Sequence, residues 1–421
     1  MEREVTMIVQ RKQARMVRPE LSDGTRNYPK AVALATTDLI MPMVYVDILF
    51  AFRAPTPPVH KLEDGLAKVL CDYREWAGRL RCNDKGWSSI ELSDEGVQCV
   101  EATADCSVEE LMPFYPTQRL HALVPEVEGV KDPLLVQMTK FKCGGMTLGI
   151  AWNHRVADGQ AFIYFMEEWT RCVKGLSPRC SLSHDRSQLM AIGTATGRLQ
   201  QIRDIEPTIP SSSPSVSKTR LHFTPGMLLK IKQKSTNTLT TFAAITGHLW
   251  RCISKARRLD PEVVTCVAIS IDGRGRLNPP LPESYFGNAV FVPLTISIAQ
   301  DLLNNPASCP ASLIQTSLAQ ANDQYLRESL LHIQKTVESL DQNSTMPTAA
   351  HPNLVVTSWL KFPLYEMDFG WGGPAFVGNV PRGEEGLLLL LPSYTRDGSI
   401  DAVVQLFSAD LQNLEELCYN I

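Results

Sequence analysis

The sequence has little charge of one sign. Against 41 Lys+Arg stand 45 Asp+Glu in 421 residues, a formal net charge of −4. Without a basic excess there is no electrostatic footprint for phosphate backbones, and nucleic acid is not expected as a partner. Long apolar runs are missing too, since a bilayer span needs roughly 18 such residues. The best candidate, Val32 to Phe52, is broken by Asp38, Pro42 and Asp47, so no membrane insertion is expected. The start, Met-Glu-Arg-Glu-Val, does not follow the charged-then-apolar order of a secretory signal. The 11 cysteines include no CxxC pair. That disfavours a disulfide framework or a zinc cluster and points to reduced thiols in a cytoplasmic protein. A GxSxG nucleophile elbow, a GxxxxGK[ST] phosphate loop and an HExxH zinc helix are all absent.

What is present is ordinary globular composition. Hydrophobic residues make up 44% and charged residues 20%, enough apolar surface for a sizeable core. At about 150 residues per domain, the length leaves room for two or three. The clearest composition break is Ser211–Ser217, within a polar stretch from about Ser177. It reads as a crossover linker over 177–218, separating an N-terminal domain of residues 1–176 from a C-terminal domain of residues 219–421.

The hydrophobic spacing predicts a helix over His60–Arg81. Leu134–Cys143 and Met146–Trp152 read as strands joined by a Gly144-Gly145 hairpin turn. A helix follows over Gly159–Lys174. In the second half, Thr224-Pro225 opens a helix by capping, and Leu239–Arg258 and Pro310–Ser339 read as further helices. Val263–Ile271, Leu354–Phe362, Gly386–Leu391 and Ser399–Phe407 read as strands, with a closing helix over Ser408–Asn420. Strands mixed with helices in both halves indicate an α/β or α+β layered fold.

Three segments stand out chemically. Asn153-His154-Arg155-Val156-Ala157-Asp158-Gly159 lies where a buried strand ends and a helix begins, a junction that places side chains at the rim of a sheet. A neutral imidazole can accept a proton near physiological pH, which makes His154 a candidate general base. Asp158 either orients His154 or ties the loop down elsewhere. No third ligand accompanies this pair at a spacing that would hold a metal ion. Asp368-Phe369-Gly370-Trp371-Gly372-Gly373-Pro374 reads as a tight loop that lets another backbone or a ligand approach closely. Asp272-Gly273-Arg274-Gly275-Arg276 ends a strand, and one of its arginines could pair a buried carboxylate.

Together these segments resemble the plant BAHD family of CoA-dependent acyltransferases. His154 to Gly159 matches the family's HxxxDG motif and Asp368 to Gly372 its DFGWG motif, about 210 residues apart with the Asp-Gly-Arg strand end between them. The resemblance covers essentially the whole chain. It implies two chloramphenicol-acetyltransferase-like domains, each a mixed β-sheet flanked by helices, and a monomer. It implies acyl-CoA as cosubstrate without a permanently bound cofactor, entering a channel between the domains with His154 in the middle. His154 would be the base, and Trp371 or Thr357 would stabilise the oxyanion. Asp158 would position the loop through Arg274 or Arg276, and Asp368 would be structural. Thr240 and Thr241, opening a helix, become candidate CoA contacts. Gly373 replaces the Arg or Lys that many relatives carry there, so that phosphate contact is missing or supplied elsewhere.

Within the family the chain most resembles hydroxycinnamoyl-CoA amine transferases of the agmatine coumaroyltransferase type. The carrying segments include Phe52–Pro58, Asp72–Leu80, Glu101–Asp105 and Ser358–Asp368. An amine acceptor is therefore expected first and an alcohol such as shikimate or quinate second. A catalytically silent paralogue is the reading from another class, and the intact His154 and Gly159 argue against it. The acceptor strand Tyr45–Phe50 places Val46, Ile48 and Phe50 on one apolar face by period-two alternation. Asp47 lies on the other face, where it could meet a cationic amine. The strand around Val355 has no acid to pair a guanidinium, a costly omission for a buried cation. Lys361 could instead favour a carboxylate-bearing acceptor, but the resemblance implies basic residues at this position in both branches, so it does not discriminate between them.

Overall fold

A computed structural model describes residues 7–21, 29–83, 86–177, 179, 182–190, 215–234, 238–339, 351–380, 382 and 385–421. The chain builds two mixed sheets. The first runs, in spatial order, Val9–Arg11, Val97–Ala104, Leu134–Phe141, Met146–Asn153, Tyr45–Phe52 and Phe376–Asn379, with Arg15–Val17 also on Val97–Ala104. All neighbours are antiparallel except Val97–Ala104 and Leu134–Phe141. Alternation sorts the central strand Tyr45–Phe52. Ile48, Phe50 and Phe52 join one core, with Trp152, Phe162, Phe165 and Trp169. Leu49 and Ala51 join another, with Phe114, Leu123 and Phe376.

The second sheet runs Val216–Phe223, Ile400–Phe407, Leu387–Pro392, Leu354–Ser358, Val264–Ile269 and Leu294–Ile298. Leu354–Ser358 is parallel to both of its neighbours. Leu354 and Val356 point into the core beneath the helix Thr241–Ala256, which leaves Val355 and Thr357 on the opposite face. The strand Phe376–Asn379, from the C-terminal half, pairs with Tyr45–Phe52 in the first sheet. The halves therefore exchange a strand as well as facing each other.

The hairpin turns at Gly144, with φ +80°, and Gly159–Val173 and Thr241–Ala256 are helices close to their expected bounds. Other expectations need correction. The helix expected over His60–Arg81 spans only Val59–Val69, and Arg79–Asn83 is a strand. Leu70, Tyr73 and Trp76 are nevertheless buried in the core, because successive turns present them as a helix would. Gly78 permits this close packing, since a Cβ there would meet the Glu91 carbonyl oxygen at 2.3 Å. The expected helix Pro310–Ser339 is two helices, Ser308–Gln320 and Asp323–Ser339, with Asn322 capping the second by accepting from the Tyr325 N–H. Of the expected linker, 191–214 lies outside the described residues. Arg186 and Leu189 are buried, and Val216–Phe223 is already sheet. Among the described residues no helix is long and apolar enough to cross a membrane.

Candidate active site

The strand Met146–Asn153 is buried along its whole length and ends in a locked turn. The His154 N–H donates to the Val44 carbonyl at 3.0 Å. The Asn153 side-chain oxygen accepts from the Arg155 N–H at 3.0 Å. The Arg155 guanidinium turns back and donates to the Met41 carbonyl from Nε at 3.1 Å and Nη2 at 2.7 Å. His154 is held at the strand's rim with its Nδ1 3.2 Å from Asn288 Oδ1. The next helix starts at Gly159, where a Cβ would lie 3.0 Å from the Phe362 ring.

Asp158 does different work. Its Oδ1 accepts from the Ala161 N–H at 2.9 Å, capping the helix. The two guanidinium nitrogens of Arg274 lie 2.9 and 3.0 Å from its two oxygens. The Ala289 N–H donates to Oδ2 at 2.8 Å. Burial alone would lower the Arg274 pKa, but the adjoining Asp158 charge reverses this and the net direction is upward. Both Asp158 oxygens are occupied by these donors, which makes it a positioning residue. Arg276 donates to the Leu318 and Ala321 carbonyls instead.

His154 opens on a cavity of about 1500 Å³ between the sheets, larger than the 300–1,000 Å³ usual for one small ligand. Val46, Asp47, Thr240, Val355, Thr357 and Lys361 line it. Its wall near His154 is aromatic. Trp152 stacks on Phe162 at 3.9 Å between ring centroids, and Trp359 lies 6.3 Å from Phe362. Asp47 is buried, and Arg382, also on the wall, donates from Nη2 to its Oδ1 at 3.0 Å. Burial nonetheless dominates and pushes the Asp47 carboxyl up to about 7, with Arg382 opposing.

Several expected site residues lie elsewhere. Ile48 and Phe50 are 1% and 0% exposed, because beyond Val46, which lines the cavity, the face all three share packs into the core. Trp371 is also off the wall. It stacks on Phe369 at 5.4 Å and meets Phe52 edge-on, with its Nε1 buried and without a hydrogen-bond partner among the described residues. That leaves Thr357 as the expected oxyanion donor that reaches the cavity. Thr241 is exposed and off the wall, whereas Thr240 caps the helix by accepting from the Ala243 N–H. Gly373 is likewise exposed and off the wall, and a Cβ there would meet the Tyr365 carbonyl oxygen at 2.5 Å. Asp368 organises this loop by accepting from the N–H groups of Gly370, Trp371 and Gly372. Burial raises its pKa, but these donors outweigh it and the net direction is down.

The sequence reading missed Asn288, Trp359, Phe362 and Arg382. Asn288 follows a glycine in a loop and has no periodicity to mark it. Among the described residues no group of three His, Cys, Asp or Glu side chains could hold a metal ion.

A model of the Transferase family matches residues 7–420. Agmatine coumaroyltransferase-1 of Hordeum vulgare is 34% identical over 397 residues, covering 90% of each chain. Agmatine hydroxycinnamoyltransferase 1 of Oryza sativa subsp. japonica is 33% identical, covering 93% of this chain and 96% of the relative. Shikimate O-hydroxycinnamoyltransferase of Nicotiana tabacum is 31% identical, covering 92% and 94%. Among solved structures, vinorine synthase superposes with a TM-score of 0.77 at 19% identity, covering 96% of each chain. F. sporotrichioides TRI101 in complex with coenzyme A gives 0.77 at 21% identity, covering 91% of this chain and 97% of that one. These two show a shared fold. The whole-length family match, joined to His154 and the Asp158–Arg274 pair, places the chain in the Transferase family, that of the BAHD acyltransferases.

Proposed function

We propose that this enzyme transfers a hydroxycinnamoyl group from its CoA thioester to an amine, giving an amide, with His154 as general base. The observation that carries the reading is the aromatic wall beside His154, formed by Trp152, Trp359 and Phe362. A flat apolar acyl group fits there by ring contact and loss of hydrated surface. The two agmatine acyltransferases named above support an amine acceptor.

In the proposed step, the ring nitrogen of His154 not engaged by Asn288 takes the acceptor's proton as the nucleophile attacks the thioester carbonyl. The C–N bond forms and the carbonyl oxygen becomes an oxyanion, with Thr357 as its candidate donor. Collapse breaks the C–S bond, and the CoA thiolate recovers the proton from the imidazolium. A primary alkylamine has a pKa near 10, so the neutral nucleophile becomes commoner as pH rises and turnover should increase toward pH 8–9. Thr240 at the helix start is the proposed CoA contact on the cavity wall. The same reading has the enzyme working as a cytoplasmic monomer, with acyl-CoA as cosubstrate and no resident cofactor.

A second reading, O-acylation of a carboxylate-bearing alcohol, is favoured by the pairing of Asp47 with Arg382 on the wall, which leaves that carboxylate already engaged. That pairing also weighs against agmatine, whose guanidinium would need a carboxylate not already engaged. The test pairs p-coumaroyl-, feruloyl-, benzoyl- and acetyl-CoA with agmatine, putrescine, tyramine, tryptamine, shikimate and quinate, with products identified by mass spectrometry. Amides over background ester are expected. Esters without amides would replace the first reading by the second.

A further inference from the structure

A carboxylate that this reaction does not use lies one residue behind His154. Asp38 is 0% exposed, and its oxygens accept from four donors. The Ala35 N–H and Arg186 Nε reach Oδ2 at 2.8 and 2.9 Å. The Asn288 N–H and side-chain Nδ2 reach Oδ1 at 3.0 and 2.9 Å. Asn288 Nδ2 also donates to the Arg155 carbonyl at 3.3 Å. The amide nitrogen of Asn288 therefore faces two acceptors, and its oxygen must face His154 Nδ1. A carbonyl oxygen only accepts, so the proton between them belongs to the histidine.

We infer that Asp38, acting through the Asn288 side chain, is the positioning residue that keeps the His154 proton on Nδ1 and leaves Nε2 as the proton acceptor. The inference rests on the reading of His154 as base. Arg186 and Asp38 come from segments far apart in sequence, and their charge pair is almost fully buried. That buried pair pins Asp38, which in turn holds Asn288. The arrangement separates the negative charge from the imidazole by one neutral amide. It sets the tautomer without a carboxylate in direct contact.

Asp38→Asn tests this directly. Arg186 and the Ala35 N–H require an oxygen, so the new amide nitrogen faces Asn288 and the hydrogen bond from the Asn288 N–H is lost. The Asn288 amide then turns over and presents N–H to His154 Nδ1, which moves the ring proton to Nε2. The ring is read by nitrogen NMR of ¹⁵N-histidine-labelled enzyme, with His154 assigned from its loss in His154→Ala. The expected result is Nδ1–H in the wild type, Nε2–H in Asp38→Asn, and a kcat lower by about 100-fold with KM for acyl-CoA within about twofold. A wrong-tautomer substitution in a serine-protease triad costs about 10⁴, and the effect here passes through one more residue. A folded Asp38→Asn with an unchanged ring signature, or with unchanged kcat, would overturn the inference. If that variant does not fold, Asn288→Leu decides it. Loss of the Nδ1–H preference with the same kcat–KM split supports the relay, and a wild-type ring and kcat refute it. The ring measurement needs no substrate, so it stands apart from the choice of acceptor. Absence of turnover with every donor and acceptor would instead refute the proposed function.

Discussion

Arg274 and Asp158 form a two-pronged ion pair, with Nη1–Oδ2 at 2.9 Å and Nη2–Oδ1 at 3.0 Å, buried on both sides. It joins the loop after the strand Met146–Asn153 to a strand end in the second half of the chain. Removing one partner strands a buried charge, which typically costs 3–5 kcal/mol. Arg274→Gln is expected to lose about that much stability in urea denaturation. Arg274→Lys should restore little, because a lysine lacks the paired donors. Near-native stability in either variant would mean that the pair does not hold the two halves together.

Asp47 gives a pH-dependent expectation. Its carboxyl titrates at about 7 in the folded protein, mainly because it is buried, against about 4 for an unfolded aspartate. The folded state therefore holds a proton that the unfolded state has released. Folding is penalised increasingly from about pH 4 to about pH 7, and the penalty is fully present above that. Asp47→Asn removes it. The difference in melting temperature, variant minus wild type, should be more positive at pH 8 than at pH 5. An unchanged or reversed difference would show that Arg382 outweighs burial.

Gly373 tests the loop. The family resemblance implies a basic residue at this position, and introducing one looks like a route to tighter CoA binding. The geometry argues otherwise, since a Cβ at this position would approach the Tyr365 carbonyl oxygen to 2.5 Å. Gly373→Arg should lower stability by 1–3 kcal/mol, of the order seen for overpacking, without lowering KM for acyl-CoA. A stable variant with a lower KM would show that the loop yields easily.

On the proposed function the aromatic wall would set donor preference. Trp359→Ala should reduce kcat/KM for p-coumaroyl-CoA by about tenfold or more, because a large buried ring contact is lost. Acetyl-CoA turnover should change far less. Equal losses for both donors would mean that Trp359 supports the fold and does not contact the acyl group.

Much of the scaffold was legible because local rules sufficed. The Gly-Gly hairpin, the buried strand before His154 and the capped helices each follow from short-range chemistry. The pairing of Asp158 with Arg274 came from resemblance, not from spacing. What stayed hidden depends on distant chain. Alternation put Ile48 and Phe50 on one face correctly, but both faces of this strand are covered by core, and only packing shows how far along it the cavity reaches. Tyr73 and Trp76 kept helical spacing through non-helical turns. Asn288 reaches His154 across 134 positions. Asp38 left a trace, a carboxylate interrupting an apolar run, and its meaning appears only once Arg186 and Asn288 surround it.

The central claim is that His154 takes the acceptor's proton during acyl transfer. The most direct measurement compares wild type with His154→Ala, using p-coumaroyl-CoA and the amine that turns over best, with amide formation followed by mass spectrometry and folding checked by circular dichroism. A general base is worth about 10²–10⁴ in rate. The account predicts a loss within or beyond that range, with KM for acyl-CoA little changed and the variant folded. A folded His154→Ala that turns over within a few-fold of wild type would contradict it.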